Sequence, residues 1–151
     1  AGITSALCTS FKVELLEGDH DFNNGADAFK VALLKANASI TGTYDATTTN
    51  YSNVTGNSDE LPNGSGYTTG GYALTNVNPT SSGTTAFTDF SANAAWSSAT
   101  FTTRGCIIYN TSDGNSAVAV INFGADYSVS GGTFEIQWPT ADSSNAIIRI
   151  A

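Results

Sequence analysis

The sequence predicts a mainly β protein: an antiparallel β-sandwich, or a partly closed barrel, with one N-terminal helix, in a single domain over residues 1–151. Three observations predict it. A helical spacing of apolar side chains occurs only in the first 17 residues. From Ala28 onward the spacing drops to two, the period of a strand. Turn residues then punctuate the chain every ten or so positions, leaving seven to nine short runs of strand character. A sandwich and a partly closed barrel share this signature.

The helix is expected over residues 5–17. Leu7, Phe11 and Leu15 recur at i, i+4 and i+8, Cys8 and Leu16 widen the stripe, and Lys12, Glu14 and Glu17 fall elsewhere. Thr4 or Ser5 can cap its start, and Gly18 supplies the left-handed residue that ends it. A polar loop follows, Asp19-His20-Asp21-Phe22-Asn23-Asn24-Gly25. The sandwich is expected over residues 28–151, opening with a strand in which Phe29, Val31 and Leu33 form one apolar face. Residues 42–70 are rich in Gly, Asn, Ser and Thr and read as a long excursion, a candidate interaction loop. Gly70-Gly71 closes it before a strand with Tyr72, Leu74 and Val77, and Pro79 to Gly83 makes a turn. Further strands are expected at 86–91, 94–103, 106–109, 118–121, 134–138 and 146–150. Asp113-Gly114 marks a hairpin between the fourth-last and third-last of these.

Composition excludes several classes. Thirteen carboxylates against five Lys and Arg give a net charge of −8, so no cationic stripe is available for nucleic acid. No apolar run approaches the ~18 residues of a membrane span, so no membrane partner is expected. Cys8 and Cys106 lie far apart, each in an apolar stretch. One disulfide is arithmetically open to them, but two buried thiols are the simpler reading. The five Asn-x-Ser/Thr sequons, at Asn37, Asn50, Asn53, Asn63 and Asn110, are close to what so much Asn, Ser and Thr produces by chance.

Reaction chemistry is sparse. His20 is the only imidazole, no Gly-x-Ser-x-Gly elbow accompanies it, and one His with two distant Cys cannot build a zinc site. A loop His between two Asp reads as a structural hydrogen-bonding residue. Asp19, Asp21 and Asn23 alternate as calcium ligands would, yet Asn24 and Lys30 stand where an EF-hand loop needs Gly and Glu. A solvated turn is the competing reading of that segment. Glu14, Glu60 and Glu135 are the carboxylates a glycosidase would need, with nothing in their spacing to pair them. Tyr44, Tyr51, Tyr67 and Tyr72 cluster in and around the excursion and form a candidate sugar-stacking platform; rings packed at strand ends explain them equally. No catalytic residue, metal or cofactor is expected.

Several motifs together carry a resemblance. They are Phe11-Lys12 with Glu14-Leu15-Leu16, His20-Asp21-Phe22, and Phe29-Lys30-Val31-Ala32-Leu33. Then come Gly66-Tyr67-Thr68-Thr69-Gly70-Gly71, and Trp96 with Ala99-Thr100-Phe101-Thr102-Thr103-Arg104-Gly105. Ile108-Tyr109-Asn110, Phe123-Gly124 and Ala146-Ile147-Ile148-Arg149-Ile150 complete the set. In this order they resemble a family of small virion proteins of tailed bacteriophages. Residues 42–65 and 79–93 depart most from it and would be its variable loops. The resemblance implies a particle component and carries over no catalytic residue. A small acidic sandwich without coiled-coil heptads suits a capsid decoration or cement protein, assembled in the host cytoplasm onto the virion. Its expected partners are the major capsid protein or neighbouring virion subunits, and a homo-oligomer, a trimer at threefold positions, fits such a lattice. The helix of residues 5–17 or the 42–70 loop would make the contact. The alternative is a carbohydrate- or receptor-binding β-sandwich module of the tail or head fibre type.

Overall fold

The computed structural model describes residues 1–151 and is mainly β, 45% strand and 11% helix, with antiparallel sheets and no closed barrel. In chain order the elements are β1 (Gly2–Ile3), β2 (Ala6–Leu7), α1 (Thr9–Glu17), β3 (Phe29–Leu34), a 3-10 turn (Asn37–Ser39), β4 (Thr43–Tyr44) and α2 (Ser52–Gly56). They continue with β5 (Tyr72–Ala73), β6 (Thr80–Ser82), β7 (Thr85–Thr88), β8 (Ala94–Asn110), β9 (Ser116–Ile136) and β10 (Ile148–Ile150). The principal sheet has five strands in the order β2-β9-β8-β3-β5, and a second runs β10-β7-β6. β1 and β4 form a small parallel pair that stitches the N-terminus to the excursion.

The helix is shorter than its apolar spacing suggests. Ala6 and Leu7 pair with Val120 and Ala119 of β9, and the Cys8 N–H donates to Val118 O at 2.9 Å. Sheet hydrogen bonds therefore claim the residues expected to form the first turn, and Cys8, not Thr4 or Ser5, occupies the N-cap without a side-chain bond. Gly18 ends the helix at φ 83°, its own N–H and that of Asp19 closing on Leu15 O and Glu14 O. Phe11 and Cys8 reach the core, which for Phe11 is worth about 2–3 kcal/mol. Leu16, placed on the buried stripe by its spacing, is 90% exposed, with Val13 beside it at 54%.

β3 is buried on both faces, not one: Val31, Ala32, Leu33 and Leu34 are all fully buried, with β8 and β5 paired along its two edges. The largest departure is in the second half. The runs expected at 94–103 and 106–109 are one 17-residue strand, β8, and those expected at 118–121 and 134–138 belong to one 21-residue strand, β9, which ends at Ile136, short of Trp138. Register shifts at Trp96/Ala99 and Thr103/Gly105 let a single ladder absorb the Gly and Ser positions that read as strand ends. Gly114 (φ 58°) and Asn115 (φ 65°) make the hairpin turn between them. The segment 80–82, expected as turn, is a strand paired to β7.

The root of the β8–β9 hairpin, from Gly105 to Ile121, is core sheet; its outer part, residues 94–104 with 122–136, is a two-stranded ribbon extending past β3. The core joins Phe11, Phe22, Phe29, Val31, Leu33, Ile107, Ile108, Val118 and Val120, and the second sheet reaches it through Phe90 and Ile148. No helix is long and apolar enough to cross a membrane.

Candidate functional site

Two buried polar networks and one open apolar face are the features able to carry function. The first network surrounds His20. Along Asp19-His20-Asp21-Phe22 burial alternates, His20 and Phe22 lying in the interior while Asp19 and Asp21 face solvent. Phe22 stacks on Phe29 at 4.4 Å between centroids, and Phe11 closes edge-on against Phe22 at 5.9 Å. The alternation that resembles a calcium loop thus arises from an anchored strand-like segment. The Asp21 carboxylate accepts from the Asn23 N–H at 3.0 Å, an Asx turn, and Asn23 itself is exposed.

The His20 ring bridges α1 to the hairpin tip. Its Nε2 lies 3.0 Å from Glu14 Oε1 and 3.9 Å from Asp113 Oδ2, the one grouping of metal-ligating atoms in the fold. The other nitrogen decides what that grouping is. Asn110 Nδ2 lies 2.9 Å from His20 Nδ1 and donates at 2.9 Å to Asp27 Oδ2, while the Asn110 side-chain oxygen accepts from the Ser112 N–H. Partners of opposite polarity on its two ends fix the amide orientation, so Nδ1 accepts and Nε2 carries the proton donated to Glu14. A metal at Nε2 would require an imidazolate, since the neutral ligand keeps its proton on the other nitrogen. In this arrangement the trio is a hydrogen-bond network in which Asn110 sets the His20 tautomer.

The second network holds the excursion. Asp59 and Glu60 are the only charged residues between Asp45 and Asp89, and both are buried. Asp59 Oδ2 accepts from the Tyr44 hydroxyl at 2.6 Å and the Gly42 N–H at 2.8 Å, and both carboxylate oxygens accept from the Thr41 N–H. Burial pushes this carboxyl up, but the Tyr44, Gly42 and Thr41 donors outweigh it and hold it below the ordinary carboxylate range. Glu60 accepts from the Tyr51 hydroxyl on one oxygen, and from the Tyr67 hydroxyl (2.6 Å) and Gly70 N–H (2.7 Å) on the other. The Tyr67 oxygen in turn accepts from the Leu33 N–H of β3 at 3.0 Å. Tyr51 stacks on Tyr109 at 4.3 Å, and the Tyr109 hydroxyl donates to Gly70 O.

Three of the four tyrosines of the expected platform are therefore anchors. Tyr44 and Tyr67 are buried, Tyr51 is half-buried with its hydroxyl on Glu60, and Tyr72 packs edge-on against Trp96 at 5.7 Å. Glu14, Glu60 and Glu135 do not converge: Glu14 serves His20, Glu60 serves the tyrosines, and exposed Glu135 accepts from the Gln137 amide. Asp89 is the buried carboxyl without such support; one oxygen accepts from the Phe90 N–H, the other has no partner, and burial pushes the group up. Cys8 and Cys106 are free and buried, and burial raises their thiols to about 11 and about 12, so neither offers a thiolate. The roles of Asn110, Asp113, Asp59 and Glu60 escape sequence reasoning. The one legible signal is the pair Asp59-Glu60, two adjacent carboxylates in a long uncharged stretch flanked by tyrosines.

The open face lies on the ribbon. Trp96, Phe101, Phe123, Tyr127, Val129, Phe134 and Ile136 share one side, linked by ring contacts such as Trp96–Phe134 (6.0 Å) and Phe101–Phe134 (5.6 Å). Tyr67 and Tyr72 cover its β8 half, whereas over β9 the face is open, with Tyr127 50% exposed. Comparison with known protein families, curated proteins and solved structures returns no match.

Proposed function

We propose that this chain is a non-enzymatic structural protein of a phage particle, a capsid decoration or cement protein that seats on the major capsid lattice as a homo-oligomer, with the trimer suited to threefold positions. One observation carries the reading. The groups able to do chemistry are tied into structural hydrogen bonds, while apolar side chains stand free on the surface. His20 has both nitrogens engaged, Asp59 and Glu60 are saturated with donors, and both thiols are protonated. What the surface offers instead is contact area, led by Leu16 and Val13 on α1.

The same geometry favours α1 over the 42–70 segment as the contact with the shell. The segment is bonded internally to Asp59 and Glu60, whereas the outer face of α1 leaves Leu16 almost wholly and Val13 about half exposed. Against the carbohydrate-binding alternative stands the burial of two of its four candidate rings, Tyr44 and Tyr67.

The test mixes the purified chain with phage heads that lack it and measures bound copies by co-sedimentation. Saturable, stoichiometric binding is expected, weakened at least about tenfold by Leu16→Asp, whose burial against the shell would strand a charge. Absence of saturable binding to heads and tails, or a specific glycan signal instead, overturns the reading.

A further inference from the structure

The outer strand of the ribbon has an unpaired edge. β2 covers β9 only at Ala119 and Val120, and beyond them no strand lies on that side. The edge N–H groups of Asn122 and Gly124 are met by the Ser5 hydroxyl and the Asn122 side chain, which leaves the edge free from Ala125 onward. Exposed edges in monomeric proteins are ordinarily guarded by Lys, Pro or inward-pointing charge. Residues 94–136 contain no Lys and no Pro. The one charge on the straight stretch Asp126–Ser130 is already engaged, by Arg104 at 3.6 Å and the Asn37 N–H at 3.0 Å. Within it Tyr127–Ser130 pair in unbroken register with β8, Asp126 lies at the register shift that precedes them, and Gly124 (φ 85°) and Gly131 (φ 63°) flank the stretch.

We infer that this segment is an interface between two copies of the chain, pairing antiparallel with its own counterpart across a two-fold axis centred on Ser128. The register follows from the sequence Asp126-Tyr127-Ser128-Val129-Ser130. With Ser128 opposite Ser128, each Tyr127 meets Val129 of the other copy on the apolar face, an aromatic and β-branched cross-strand pair. Each Asp126 meets Ser130, so the carboxylates are kept apart. A register centred on Asp126 would instead set like charges directly opposite. The pairing also joins the two aromatic faces, bringing both copies' Phe123 and Phe134 onto one side of a four-stranded sheet. A second copy is the occupant that charge favours. The molecule carries −8, but its ribbon holds only Arg104, Asp126 and Glu135, so two copies approach there with the least repulsion.

Five paired residues bury less than the ~1,600 Å² of a standard interface, so the isolated pair is expected to be weak, with a dissociation constant on the order of 10 µM. On a lattice that already holds both copies, the same contact becomes effectively intramolecular. The inference rests on the homo-oligomeric part of the reading above, adding a two-fold contact between copies that a threefold trimer by itself would not contain, and does not need the shell: it is tested on the purified chain alone, whereas the shell contact is tested through Leu16.

The experiment compares oxidative cross-linking of Ser128→Cys and Ser130→Cys. Both positions are exposed, and the two native thiols are buried, so the introduced thiol is the reactive one. Directly opposed residues bring their Cβ atoms within disulfide reach. Ser128→Cys is expected to give a disulfide-linked dimer at least about tenfold faster than Ser130→Cys, with the Ser128→Cys rate falling when Tyr127→Lys is added. Circular dichroism of each variant confirms the fold. Equal rates at the two positions, no dimer at 500 µM (about fifty times the expected dissociation constant), or insensitivity to Tyr127→Lys overturns the inference. If sedimentation shows an oligomer that Leu16→Asp disrupts and the Ser128 pair does not trap, the oligomer stands and this interface falls.

Discussion

The excursion of residues 42–70 and the outer β8–β9 ribbon lie against each other and are both poor in charge, yet they meet the demand for burial in opposite ways. The excursion has almost no regular structure, only β4 and the single turn of α2. It is held from inside, by two buried carboxylates that collect hydroxyl and backbone donors, and by close approach to the sheet. Gly71 lies so near β3 that a Cβ there would fall 1.9 Å from Val31 O, at a φ of 92° that other residues resist. The ribbon is built from the two longest strands in the molecule and has the least support, since its aromatic face is covered on one half only. Regular secondary structure and tight anchoring are thus separate properties here. The irregular segment is the more densely hydrogen-bonded one, and the long strands are left with surface to offer.

Substitutions in the two regions can break this contrast. Glu60→Ala has the largest expected effect, because it strands the Tyr51 and Tyr67 hydroxyls and the Gly70 N–H in the interior. We expect a loss of about 3 kcal/mol or more in urea denaturation, with proteolytic cleavage appearing within 42–70. An unchanged midpoint would mean that the excursion is held by packing alone. Tyr67→Phe removes one donor to Glu60 and the acceptor of the Leu33 N–H, and should cost about 2 kcal/mol.

Asp59 and Asp89 give opposite pH signatures. Asp59 is held low by its donors, so its contribution is present above the ordinary carboxylate pKa of about 3.9 and lost as pH falls through the lower folded value. The stability gap between wild type and Asp59→Asn should therefore be constant from about pH 7 to 5 and close below about pH 4. Asp89 is pushed up by burial, so its ionised form opposes folding above its folded pKa. Asp89→Asn should leave stability equal or higher at neutral pH, with any gain vanishing as the wild-type carboxyl takes up its proton; a loss confined to neutral pH would contradict the assignment. The smallest effect belongs to the ribbon. Tyr127→Phe, half exposed and without a hydroxyl partner, should change monomer stability by no more than about 0.5 kcal/mol. A cost like that of Tyr67→Phe would show that the ribbon is anchored as firmly as the excursion.

The difference between these regions also marks where the sequence was legible. Strand character at Phe29–Leu34 and Ala94–Thr103, the Asp113-Gly114 hairpin and the Gly18 helix stop all rest on local chemistry, a two-residue period or a residue suited to positive φ, and local chemistry can be read from a window of a few residues. The failures come from partners distant in the chain. Leu7 leaves the helix because Ala119 and Val120, over a hundred residues away, offer it a ladder. Leu16 lies on a plausible buried stripe, but the sheet meets α1 through Phe11 and Cys8 instead. Four apparent strands are two because glycine- and serine-bearing bulges interrupt the pattern without interrupting the pairing.

The amino-acid order alone determined the mainly β class, the N-terminal helix with its glycine stop, and the scarcity of groups able to act as acid, base or nucleophile, but not the short α2. Only the tertiary structure decided which tyrosines are anchors and which tautomer His20 adopts. It also decided that Asp59 and Glu60 are the fasteners of the excursion, and which apolar side chains remain uncovered. The physical reason is that burial and hydrogen-bond partnership are properties of pairs of groups. Asn110 meets His20 across ninety positions of chain, and no local pattern encodes a contact whose other half lies so far away.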